Sequence, residues 1–255
     1  MSLRFAYNTL EWGPTPDLQE MLLDLKETGW DGWEIRQPLD WLGSAERIND
    51  IVEETGLPVA SVCGQNWGFA DDRVAIELNK RRIDLAAAVN ADSYVIMAPP
   101  RPQDRSPTRE EIASFAGFGE VLAKYGVDKG IDVTFHFHYG QVVQSEEEVK
   151  TVVDLAPTLK LCVDLSHAQL LEWGAIRCMR EVKDRIAYLH LQDYRKWRFV
   201  NIGDGDLFES IPALFDVIDE IGFQRWLGCH GGLQTDQTPK MRAEACRNYL
   251  RSIGR

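Results

Sequence analysis

The chain has 255 residues, 44% of them hydrophobic, so it can bury a full core, and residues 1–255 read as one domain. Its formal charge of -12 excludes a non-specific nucleic-acid binder, which needs a basic face to neutralise phosphates; only Arg195-Lys196-Trp197-Arg198 is locally basic. Cys63, Cys162, Cys178, Cys229 and Cys246 form no Cys-x-x-Cys pair, and no uninterrupted apolar run reaches ~18 residues, so buried thiols in a cytoplasmic, unexported protein off the membrane are the expectation.

Short β-rich runs alternate with segments of helical period. The first strand is expected over 3–8. Thr15-Pro16 then supplies an N-cap and a first-turn proline, and Leu18, Met21, Leu22 and Leu25 fall at i, i+3, i+4 and i+7 of a helix that stops at Gly29. A strand at 32–36 precedes a helix around 44–54, and a strand at 58–63 precedes a long helix over 71–89. The fourth strand, 93–98, is followed by Ser106-Pro107 and a helix to about Gly126. The fifth, 132–137, leads to Ser145-Glu-Glu-Glu148, which has the spacing of a capping box. Strand six at 159–163 is followed by a short helix over 168–182. Strand seven covers 186–191, with a long loop delaying its helix until Leu207. Strand eight covers 225–229, and Thr238-Pro239 opens the final helix. Eight βα units are the number that closes a barrel, so the expected fold is α/β, a single-domain (β/α)8 TIM barrel. Glu11-Trp12-Gly13-Pro14 is not the Gly-rich first turn that an open doubly wound sheet usually carries.

All five histidines sit where an expected strand stops: His136, His138, His167, His190 and His230. In a parallel barrel those ends converge on one rim. His136 and His138, two apart on a strand, share a face, and Asp164, His190 and His230 occupy the last positions of strands six, seven and eight. Imidazole and carboxylate are divalent-metal ligands in type, and a nitrogen-rich set suits Zn, Fe, Co or Mn better than Mg. The plainer alternative is that each histidine caps a carbonyl or fills a polar pocket.

Gly32-Trp33-Glu34, His136-Phe-His138-Tyr-Gly140, Asp164-Leu-Ser-His167, His190-Leu-Gln-Asp193 and Gly203-Asp-Gly-Asp206, in that order, resemble the xylose isomerase-like barrel superfamily over nearly the whole chain. That superfamily includes sugar isomerases and epimerases, inosose dehydratases and DNA-repair endonucleases. The segment from His136 to Ser145 is most similar to the fifth strand of inosose dehydratases. The resemblance implies a divalent metal held by Glu, Asp, His and Glu at the ends of strands five to eight, which are His136, Asp164, His190 and His230 in this chain. Both expected glutamates are histidines here. A metal-bound imidazole has no lone pair left to shuttle a proton, so the two-carboxylate epimerase mechanism does not carry over unchanged.

The proton-transfer candidates are therefore Glu34, His138 and His167, with Glu34 pairing with Arg36 as the structural alternative. Asp193 is expected to orient His190 or close the next loop. Trp12, Trp67 and Tyr139 can stack on a sugar or cyclitol, and Arg36, Arg195 and Arg198 can hold its polar groups; loop packing and solvated charge are the alternatives. The expected function is a metal-dependent sugar isomerase or epimerase that abstracts an α-proton from a small polyhydroxy ketone or aldehyde through an enediolate. An inosose dehydratase-like lyase acting on a keto-cyclitol is the second reading, and a catalytically inactive ligand-binding barrel the third. A homo-oligomer is left open. The nuclease class wants extra ligands and a basic face that this acidic chain lacks.

Overall fold

In the computed structural model, described at residues 2–65, 67–207, 209–232 and 236–255, eight strands form a closed barrel. They are β1 (Arg4–Asn8), β2 (Gly32–Ile35), β3 (Val59–Cys63), β4 (Ser93–Met97), β5 (Asp132–His136), β6 (Lys160–Asp164), β7 (Ile186–Leu191) and β10 (Trp226–Cys229), in the order β1-β10-β7-β6-β5-β4-β3-β2. The short strands β8 (Asp193–Arg195) and β9 (Arg198–Val200) pair with each other as an antiparallel hairpin. The expected (β/α)8 barrel is the fold observed. Tertiary contacts gather the chain into two compact units, one running to Ala60 and resuming over Leu189–Arg255, the other covering Ser61–Tyr188.

In the first unit, β1 pairs in parallel with β10 and with β2, and β10 with β7 in the register Gly228↔His190. Helix Leu18–Thr28 buries Leu18, Met21, Leu22 and Leu25, the stripe its period predicts, each contributing roughly 1.5–3 kcal/mol. Its cap is Asp17, whose side chain accepts from the Glu20 amide, and not Thr15. Gly29 ends it in the left-handed conformation, which an L side chain would strain. The expected loop after β7 instead contains the hairpin, and its helix starts at Ile211.

In the second unit, β3 pairs with β4, β4 with β5 and β5 with β6, all in parallel. Helix Arg109–Lys129 begins three residues past Ser106, at a complete capping box built from Thr108 and Glu111, and the expected box of Ser145 and Glu148 opens Glu146–Leu155. Phe115 and Phe135 pack edge to face at 4.8 Å between ring centroids. The single helix expected over 168–182 is two helices, Leu165–Leu170 and Ala175–Val182, separated where Glu172 and Gly174 take positive φ.

Candidate metal centre

In the first unit the residues of interest stand at the ends of β2, β7 and β10. Glu34 is fully buried on β2, His190 is buried as the penultimate residue of β7, and half-buried His230 directly follows β10. The His190 Nε2 and Glu34 Oε2 atoms are 2.9 Å apart, and the Asn8 amide donates to Glu34 Oε1. Burial opposes ionisation of Glu34, but His190 beside it, their hydrogen bond, and the nearby His230 and Arg36 outweigh burial and hold the carboxyl far below the usual range. The charge of Arg36 acts on Glu34, and Asn8 and His190 are hydrogen-bond partners of its carboxylate. The His190 and His230 rings meet edge to face at 4.8 Å, and one donor atom each from Glu34, His190 and His230 lie within 4.8 Å of one another.

With Nε2–H donated to a carboxylate, a neutral His190 carries its lone pair on Nδ1. A carboxylate that fixes the tautomer of an imidazole is the arrangement that prepares a metal ligand. The donor chemistry of this cluster therefore fits a divalent ion.

In the second unit His136 ends β5, Asp164 ends β6 and His167 lies in the short helix that follows, all three buried. One donor atom from each lies within 4.8 Å of the others. Asp164 Oδ1 caps the short helix, accepting from the Ser166 and His167 amides and from the Ser166 hydroxyl, while Oδ2 lies 3.9 Å from His167 Nε2. The half-buried His138 lies past the strand end, its ring centroid 3.8 Å from that of His167. Cys162, which sequence reasoning set aside as a core thiol, has its sulfur 3.9 Å from His136 Nδ1.

The remaining candidates are more dispersed. Trp12 stands edge-on to Tyr7 and lines a cavity of about 460 Å³ with Met21 and Thr238. Arg36 is half-buried, whereas Trp67 and Tyr139 are exposed. Arg195 and Arg198 are exposed and face each other across the hairpin, where the Arg195 guanidinium donates to the Asp204 carbonyl. Asp193 closes the loop after β7, accepting from the amides of Tyr194, Gly203, Gly205 and Leu207. Asn8 was not singled out by the sequence, because an asparagine ending a strand carries no sign of a partner on β2.

Residues 22–252 match the family profile of the xylose isomerase-like TIM barrel. The chain belongs to that family. Within this xylose isomerase-like group, the inosose dehydratase of Mesomycoplasma hyopneumoniae strain 7448 is 24% identical over 172 residues, covering 57% of this chain and 56% of the relative. The match thus spans just over half the relative's length. Among solved structures, an L-ribulose 3-epimerase superposes with a TM-score of 0.84 at 16% identity, over 99% of this chain and 94% of that one. The IolI protein, described with a zinc atom, gives 0.82 at 15% identity, over 98% and 97%. Among the described residues, no helix is long and apolar enough to cross a membrane.

Proposed function

We propose that this xylose isomerase-like barrel is a metal-dependent isomerase or epimerase that removes an α-proton from a small polyhydroxy ketone or aldehyde. The observation that supports the reading is the Glu34–His190 contact, which commits one ring nitrogen to a buried carboxylate and leaves the lone pair of a neutral ring on the other. In the first unit the proposed metal donors are His190, through Nδ1, and His230. In the second they are His136 and Asp164. A bound divalent ion supplies a Lewis acid for a substrate oxygen.

Glu34 is in this reading a positioning residue, because both its oxygens are engaged, one by the Asn8 amide and one by His190. The proton-transfer role falls to His138 and His167, whose rings lie side by side, one of them taking the α-proton at a ring nitrogen. Trp12, Trp67 and Tyr139 are proposed to cover the sugar's apolar face, with Arg36, Arg195 and Arg198 holding its polar groups.

A second reading, dehydration of a keto-cyclitol, is favoured by the inosose dehydratase relative. Turnover in deuterated water separates the two. Exchange at the α-carbon without a new unsaturated product supports the isomerase, and appearance of that product supports the lyase. Metal content and turnover left intact by His190→Ala would remove the metal reading altogether.

A further inference from the structure

Gly231, the residue after His230, is tied to a charged cluster that none of the chemistry above uses. Glu11, in the single 3-10 turn after β1, and Arg242, in helix Pro239–Ser252, form an ion pair at 2.5 Å with side chains only 4% and 9% exposed. Glu11 Oε1 also accepts from the Tyr7 hydroxyl and from the backbone amide of Gly231, both at 2.7 Å. Gly231 rests directly on this cluster. A Cβ at Gly231 would lie 2.4 Å from the Tyr7 oxygen and 2.8 Å from Glu11 Oε1, so no side chain fits there without displacing it. The next amide, Gly232 N–H, donates to Asn201 Oδ1, Asn201 Nδ2 donates to Gln237 Oε1, and Arg242 Nη1 donates to the Gln237 carbonyl.

Burying an ion pair seldom stabilises a fold more than a well-packed apolar contact would, because both charges lose their water. Burial pushes the Glu11 carboxyl up, against the hydrogen bonds of Tyr7, Arg242 and Gly231. Such a pair does, however, impose direction, which apolar packing does not. Here that direction is spent on the amide next to His230.

We infer that Glu11 is a positioning residue that fixes where His230 presents its imidazole, acting through the Gly231 amide and held in turn by Tyr7 and Arg242. In its effect on metal this rests on the reading of His230 as a donor, whereas its effect on the ring itself does not.

The test uses the full-length chain stripped of metal, with two readouts. Zinc affinity is measured by competition with a chromogenic chelator, and the His230 ring resonances are followed by 15N-histidine NMR, assigned from their loss in His230→Ala. Glu11→Ala is expected to weaken zinc binding about 10–100-fold and to move the His230 resonances. Glu11→Gln, whose amide oxygen can still accept from Gly231, should recover part of both, and Tyr7→Phe should give a smaller change in the same direction. Glu120→Ala removes a carboxylate that binds Thr158 and should lower thermal stability without changing either readout. If Glu11→Ala loses thermal stability alone, with His230 resonances and zinc affinity as in the wild type, the inference is overturned. Were Glu11→Ala not to fold, unchanged His230 resonances in both Glu11→Gln and Tyr7→Phe would overturn it equally. Should His230→Ala bind zinc like the wild type, the donor reading fails by itself, and the resonances in Glu11→Ala still decide the role of Glu11.

Discussion

Glu34 and His190 are 156 positions apart in sequence and 2.9 Å apart in space, both shielded from solvent. The contact fixes which imidazole nitrogen holds the proton, and with it the direction in which the ring offers its lone pair. Glu34→Ala and Glu34→Gln should each weaken divalent-metal affinity about 10–100-fold, the second because an amide N–H facing Nε2 favours the opposite tautomer. Competition titration of the metal-free protein checks this. Wild-type affinity in both variants would mean that His190 needs no orienting partner.

Removing metal should destabilise the protein. An ion present at 100 times its dissociation constant stabilises the folded state by about 2.7 kcal/mol, which a strong chelator would take away. Thermal melts with and without chelator should therefore differ for the wild type and coincide for His190→Ala. Equal melts for both proteins would count against a resident ion.

Asp193 is expected to matter for stability more than for chemistry. Its two oxygens accept from four backbone amides, at Tyr194, Gly203, Gly205 and Leu207, and Asp193→Ala leaves those donors to find water or strain the loop. The expected loss is about 2–4 kcal/mol in urea denaturation, with Asp193→Asn intermediate. A loss within experimental error would show that the loop reorganises freely.

Glu148 gives the chain a pH-dependent element away from the strand ends. Its carboxylate is partly buried, which raises its pKa, yet the bidentate Arg101 guanidinium and the amides of Gln144 and Ser145 outweigh burial and lower it. A carboxyl with a depressed folded-state pKa contributes stability that is complete above its unfolded value, about 4.3, and is lost as pH falls through the lower folded value. Glu148→Gln should therefore lower stability at pH 6 to 7 and flatten its dependence on pH below about 4.3. Denaturation curves for the two proteins that stay parallel down to the acid limb would contradict this.

Much of this protein could be read locally. Short β-rich runs placed every barrel strand within one or two positions, the stripe from Leu18 to Leu25 marked a buried helix face, and the Ser145–Glu148 spacing marked a helix start. These signals are legible because each depends on neighbours within about one turn of chain. The hairpin after β7 escaped for the same reason. Its turn places Lys196 and Trp197 at positive φ, where the expected signal is Asn or Gly, and Asp206 holds it from ten residues away through the Lys196 amide.

By itself, then, the sequence determined the eight βα units and the residue types at their strand ends, because hydrophobic period and capping chemistry are properties of adjacent residues. Only the tertiary structure decided which of those residues are partners. Glu34 went to His190 and Asn8, His167 settled against His138, and Glu11 reached the amide after His230. Such pairings depend on strand register and on which groups burial leaves in need of a hydrogen bond, and both are set by contacts between segments far apart in the chain.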